Sequence, residues 1–279
     1  VDITPIENMG TLQGSANGGR ALGVGAGSLA VSAIGAAFSW ETAIFTVGII
    51  ASLQLIGAVF LSEPDKIIEE PLPLSDLMKA TFLKKRSWYG FLFTALFISI
   101  GGVYNLSTSY VKIDIGVTDT QLGWVAFSFS MAATVGAVLS GLYCDKYGAK
   151  KVTVPLVFLH ALLIVPWIFV RNQSPEFMIY FASATMGISW GALRVPVYRI
   201  AMELCPPEIE GFMYSAFMSF ANVGDFMIAP LISGFFSDYM HLTYTFFLLI
   251  PLGLIALLIL PKLNPWKPGD ELKIDEKVE

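Results

Sequence analysis

The chain has 279 residues, 55% hydrophobic and only 14% charged, with a formal net charge of −5 and a mean hydropathy of +0.66. Soluble domains carry about 25% charged residues, so this composition excludes an ordinary soluble fold and points to lipid as the solvent. Each membrane-crossing helix needs about 20 mostly apolar residues, and the chain supplies such stretches repeatedly.

In chain order, hydropathy predicts membrane-spanning helices near 10–38, 42–60, 88–110, 121–143, 152–170, 177–204, 212–237 and 242–260, eight in all. The reading is an all-α, polytopic membrane helical bundle. Val1 is not an initiator Met and leads into a turn-like Thr4-Pro5-Ile6-Glu7-Asn8 stretch, so a longer chain is expected. Between the second and third spans, residues 61–87 carry three prolines and several acids. Ser75-Asp76 follow as an expected helix N-cap, and Lys84-Lys85-Arg86 end the segment. This predicts a linker with a short surface helix whose basic run meets anionic lipid headgroups, not nucleic acid. Residues 262–279 read as a polar, disordered tail.

One set of loops holds twelve of the seventeen Lys and Arg residues, among them Lys66, Lys79, Lys146, Lys150 and Lys151, whereas the other holds only Lys112 and Arg171. Positive residues favour the cytoplasmic side. A multi-pass protein of the cytoplasmic membrane with both ends inside is therefore expected. Cys144 and Cys205 fall at cytoplasmic helix ends, where thiols stay reduced. His160 and His241 have no ligand-spaced neighbours, and no P-loop, nucleophile elbow or HExxH motif occurs. These absences argue against a pump or a membrane enzyme.

Aligned to itself at an offset of 201 residues without a gap, the chain matches Pro5 with Pro206, Glu7 with Glu208, Gly10 with Gly211 and Gly23 with Gly224. The same offset matches Ser32 with Ser233, Thr42 with Thr243, Phe45 with Phe246, Ile49 with Ile250 and Leu53 with Leu254. The implied repeat is six helices, an arrangement that some transporters use to build two halves around a midplane site. Residues 1–60 would then finish the first half, 61–87 link the halves, 88–261 form the complete second half, and 262–279 follow as a cytoplasmic tail. Four further helices of the same chain are the expected partner.

Gly141-Leu-Tyr-Cys-Asp145-Lys146-Tyr-Gly148-Ala-Lys150-Lys151 connects the fourth and fifth spans. This segment resembles the G-x-x-x-D-(R/K)-x-G-x-(R/K)-(R/K) loop of the major facilitator superfamily, and every specified position matches. The Pro206-Pro207-Glu208-Ile209-Glu210-Gly211 turn resembles the entry to that fold's eleventh helix. The 2–27 and 203–234 regions resemble AmpG-type and related acetyl-CoA or folate-biopterin carriers. The glycines permit a tight turn and close helix approach, and Lys150 and Lys151 suit lipid headgroups. Asp145 can accept from the free N–H groups at the start of the Gly10 helix, and would hold the cytoplasmic side closed. The resemblance implies a secondary transporter using alternating access. A non-transporting sensor or scaffold on the same fold is the other class.

Ionisable residues inside spans usually face a cavity or a partner. Arg20 and Arg194 each lie ten residues from the cytoplasmic end of their helices, and Asp225 lies about 6 Å deeper, within reach of Arg194. Arg199 and Glu203 form an i,i+4 pair. Tyr104 and Asn105 follow Gly101-Gly102, where the helix can loosen; Trp190 and Asn222 are further lining candidates, each also explicable by packing. The substrate-binding candidates are thus Arg20, Arg194, Asp225, Tyr104, Asn105, Trp190 and Asn222. Three arginines against Asp225 and Glu203 leave one positive charge, which favours an anionic small-molecule substrate. The rival is a permanent Arg194–Asp225 pair, or an acid in the four further helices that neutralises Arg20, with Asp225 then available to a coupling proton. No cofactor is expected beyond a proton or sodium as coupling ion.

Overall fold

The computed structural model describes residues 8–60 and 72–266, and within them the side chains of all but 54–59. Every element among these residues is helical. Helix α1 (Met9–Ala37) turns into α2 (Trp40–Val59), and a short α3 (Leu74–Phe82) precedes α4 (Lys85–Ser99). A 3-10 turn at Ile100–Gly102 carries α4 into α5 (Val103–Ile113). Helix α6 (Asp119–Tyr147) is followed at once by α7 (Ala149–Leu163), which ends in a 3-10 turn at Val165–Phe169. Then come α8 (Glu176–Leu204), α9 (Glu210–Val223), a π-helical turn at Gly224–Ile228, and α10 (Ala229–Ser237). Helices α11 (Leu242–Thr245) and α12 (Ile250–Ile259) are joined through a 3-10 turn at Phe246–Leu249.

Local sequence explains several of these boundaries. Thr118 and Gln121 form a reciprocal capping box at the start of α6, with Thr118 N–H donating to Gln121 Oε1 at 2.7 Å. Gly148, at φ +85°, ends α6 and begins α7 in a single residue, a backbone state that other residues resist. The expected Ser75-Asp76 cap is not what starts α3: its N-cap is Pro73, and Ser75 Oγ instead lies 3.4 Å from Asp76 Oδ1. The linker residues 61–71 and the 267–279 part of the tail lie outside the described residues. The part of the tail that is described is docked, contrary to the disordered tail expected: Leu263 is fully buried and Trp266 N–H donates to the Glu203 carbonyl at 2.7 Å.

Six stretches among the described residues are long and apolar enough to cross a membrane: Met9–Ala37, Lys85–Ile113, Asp119–Tyr147, Ala149–Phe169, Pro207–Ser237 and Leu242–Lys262. Trp40–Leu53 is a shorter apolar helix. Helix α8, at 29 residues, is as long as three of these but is less apolar, carrying Arg194, Arg199 and Glu203. Its burial accounts for this, because Leu193 to Ala201 is an unbroken buried run, and a helix shielded by protein on every side has no need of a lipid-compatible surface.

Helix α6 sits between α1 and α8, and glycines set both distances. A side chain at Gly136 would strike the Ile188 backbone; one at Gly187 or Gly191 would strike the backbone at Phe129 or Ala133. On the other flank, a Cβ at Gly14 would lie 2.7 Å from the Ala137 carbonyl oxygen. Small residues govern helix association in lipid, where apolar burial gives no drive. The smooth face of α1 is not the whole Gly23-to-Gly27 run: Gly23 and Gly27 face open space, and contact is made by Gly10, Gly14, Gly18 and Gly25.

Replacing Gly191 by Val is expected to lower stability by about 1–3 kcal/mol through overpacking. Gly19→Ala, at a site with nothing within 4 Å, is expected to cause no loss. Thermal unfolding of the detergent-solubilised variants checks both outcomes.

Candidate functional site

The buried interior of α8 faces the π-helical turn. Arg194 and Asp225, each 6% exposed, form an ion pair there. Arg194 Nη1 also donates to Tyr198 Oη at 2.9 Å, and its guanidinium lies 4.0 Å from the centre of the Trp190 ring. Both added contacts come from α8 itself: Tyr198 and Trp190 stand four residues to either side of Arg194, on one helix face. Burying two charges is costly unless their remaining valences are met, and here the satisfaction is incomplete. Arg194 Nε and Asp225 Oδ1 have no hydrogen-bond partner.

Two helix irregularities place this pair. The π turn inserts a residue into the α9–α10 helix at Asp225, a feature frequent at functional sites. Opposite it lies the 3-10 turn Ile100–Gly102, where Gly102 has no room for a side chain: a Cβ would collide with Ala229 and stand 3.1 Å from the Asp225 carbonyl oxygen. Tyr104, just beyond this turn, stacks on Phe129 with ring centres 3.9 Å apart, and Phe129 meets Trp190 edge-on at 5.4 Å. Tyr104 and Trp190 thus form one aromatic group behind Arg194.

A second constellation closes one end of the bundle. Asp145 Oδ1 accepts from Gly10 N–H at 2.7 Å, and Oδ2 accepts from Thr11 N–H at 2.7 Å and from the Thr11 hydroxyl at 2.5 Å. These are the free N–H groups that open α1, where the helix dipole favours an anion. Gly10 is required, since a Cβ there would stand 2.6 Å from Asp145 Oδ1 and 2.5 Å from the Gly141 carbonyl oxygen. Arg199 Nη1 donates to Asp145 Oδ1 at 2.7 Å while its Nε donates to Glu203 Oε1 at 2.9 Å. The sequence reading paired Arg199 with Glu203 and missed the bridge to Asp145. Lys150 donates to the Leu263 carbonyl and Arg86 to the Asn264 carbonyl, fastening the docked tail across the same end. Lys146 and Lys151 are exposed beside it.

Other candidates stand apart. Arg20 is exposed on α1 and does not join the Arg194–Asp225 pair. It lies seven residues from Gln13, whose Nε2 contacts Met202 Sδ of α8 at 2.8 Å. That contact fixes the antiparallel register, so Arg20 is about 10 Å and Arg194 about 12 Å along their helices from it. Asn222 is exposed, one turn before Asp225, and Asn105 is half-buried on α5. His160 is buried with Nδ1 2.9 Å from Ser189 Oγ, and among the described residues no group of His, Cys, Asp and Glu is placed to hold a metal ion.

The sequence model of the Major Facilitator Superfamily matches residues 92–277. The chain belongs to the Major Facilitator Superfamily. With its long apolar helices it is accordingly a multi-pass membrane protein. Among curated relatives it is 26% identical, over 92% of its length, to the "Putative transporter AmpG 2" of Rickettsia typhi. It is 27% identical over 56% of its length to "Multidrug export protein EmrB" of Haemophilus influenzae, and 32% identical over 48% to "Plastidic glucose transporter 4" of Arabidopsis thaliana. The aligned chain spans 64%, 30% and 24% of the length of those three relatives.

Asp145→Asn removes the charge from four short contacts at once. Cys144, fully buried where α1 meets α6, reports the result: its alkylation by a maleimide is expected to accelerate tenfold or more, a population change of about 1.4 kcal/mol. An unchanged rate would show that Asp145 does not keep this end shut.

Proposed function

We propose that this protein is a secondary active transporter of a small organic anion, working by alternating access in the cytoplasmic membrane with both ends of this sequence inside. In this reading the bilayer is crossed eight times, by α1, α2, α4–α5, α6, α7, α8, α9–α10 and α11–α12. Residues 1–60 complete one six-helix half, 61–87 link the halves, and 88–261 form the other half. Four further helices of the same chain would close the cavity. Support comes from superfamily membership, from the transporter names of the relatives and from the 201-residue repeat. Those names range from sugars to multidrug export and fix no substrate, so the anion reading rests on residues of this chain.

The observation that carries it is Arg20. Arg194 is paired with Asp225, and Arg199 with Asp145 and Glu203; among the described residues Arg20 has no acidic partner. It stands level with Arg194 on a face of α1 that Gln13 turns toward α8. A cation at that depth is stabilised by a visiting carboxylate or phosphate. The unpartnered Asp225 Oδ1 also favours a proton as the coupling ion: protonating Asp225 releases Arg194, which then becomes a second contact for the anion. Asp145, held by Gly10, Thr11 and Arg199, serves as the cytoplasmic gate in this scheme, with Gly141, Lys146, Gly148, Lys150 and Lys151 shaping its loop.

Uptake into proteoliposomes containing the full-length protein tests this reading against a panel of carboxylates, phosphate esters and neutral solutes. Arg20→Gln is expected to reduce transport of the accepted anion at least tenfold, the equivalent of about 1.4 kcal/mol. Asp225→Asn is expected to abolish proton-driven accumulation while sparing exchange. Transport of a neutral solute unaffected by Arg20→Gln would reject the anion, and accumulation driven by sodium alone would reject the proton.

A further inference from the structure

Outside the helix bundle's interior, one groove combines an apolar floor with unanswered positive charge. It lies on the outer surface where α6 meets α7, encloses about 540 Å³, and is lined by Tyr143, Tyr147, Lys151, Pro155, Leu156 and Leu159 among others. Pro155 lies inside α7 and lacks the N–H that would bond the Lys151 carbonyl, so an acceptor is also freed at the groove's mouth. The groove opens onto a face where Leu142, Phe158 and Leu162 are 52%, 60% and 65% exposed, a surface suited only to hydrocarbon.

The charges at the mouth are not balanced by the protein. Lys151 makes no ion pair or hydrogen bond among the described residues, and Lys146 Nζ rests 5.2 Å over the Tyr147 ring. The adjacent acid, Asp145, is already held by Gly10, Thr11 and Arg199. Lys150 is turned away toward the Leu263 carbonyl.

We propose that this groove is a binding site for one anionic phospholipid, with an acyl chain along Tyr143, Leu156 and Leu159 and the headgroup phosphate between Lys146 and Lys151. The two requirements are separate: an apolar chain alone leaves the lysines unpaired, and a free phosphate leaves the groove unfilled. A lysine is attracted to an anionic headgroup, so two lysines and a chain favour this lipid over a zwitterionic one. The occupant would span the α6–α7 turn that carries Asp145 and brace it. This assignment is independent of the substrate.

The test is the unfolding midpoint of the full-length protein in dodecyl maltoside with added phosphatidylglycerol, phosphatidylcholine or glycerol 3-phosphate. Phosphatidylglycerol is expected to raise the midpoint above the other two. Lys146→Gln combined with Lys151→Gln, and separately Leu159→Trp to fill the groove, are expected to remove that increment. Lys79→Gln with Lys84→Gln, at the distant basic segment, is expected to keep it. Native mass spectrometry, reading retained phosphatidylglycerol, gives the same comparison should Leu159→Trp lower the starting midpoint. Equal effects of the two lipids, an increment that survives the groove variants, or its loss in the Lys79 and Lys84 variant would each overturn the site.

Discussion

The architecture depends on how closely α6 approaches its two neighbours. On one side Gly136, Gly187 and Gly191 leave no space for a Cβ between α6 and α8; on the other, Gly10, Gly14 and Gly141 do the same between α1 and α6. In hydrocarbon, association cannot rely on excluding water. Bare backbone surfaces that touch over a long length supply dispersion contacts instead. The charged groups inherit their positions from this closeness. Asp145 reaches the first N–H groups of α1 only because Gly10 lets the helix start come down onto α6, and Arg199 reaches the same carboxylate because α8 lies against the opposite flank.

Polar groups inside the bundle are graded by how completely they are matched. Asp145 has every oxygen engaged by N–H, hydroxyl and guanidinium donors. Arg194 and Asp225 are more deeply buried but less satisfied, each keeping one unused hydrogen-bonding position. A fully satisfied cluster rigidifies its surroundings, whereas a partly satisfied one retains unspent interaction energy. This contrast suits a firm closure at one end and a responsive pair in the interior.

Much of this was legible from residues. The loop motif pointed Asp145 at the Gly10 helix, and counting helical rise put Asp225 within reach of Arg194. Rotation was what rise could not supply. Arg20 and Arg194 share a depth, yet depth alone does not say which arginine takes the acid, and Asp225 pairs with Arg194 while Arg20 stays exposed. A run such as Gly23 to Gly27 carries no phase, because residues without side chains look alike all round. Tyr198 was visible as an i,i+4 neighbour of Arg194 and went unweighed. The docking of Leu263 to Trp266 runs mainly through backbone groups, which every residue has, so composition gave it no signature. The less apolar character of α8 likewise became intelligible only once its neighbours were seen to enclose it.

The π turn at Gly224–Ile228 changes what the 201-residue match means. Gly23 aligns with Gly224 and Ser32 with Ser233 without a gap, yet α1 runs unbroken through its stretch while its counterpart accommodates an extra residue in one turn. One residue amounts to about 100° of helix rotation. Two copies that align without a gap therefore fall out of angular step beyond that turn, and equivalent positions look onto different neighbours. Ser32 is half-buried where its counterpart beyond the turn, Ser233, is fully buried. A small slippage in winding is enough to give duplicated segments unlike tasks, with no need for their sequences to drift out of alignment.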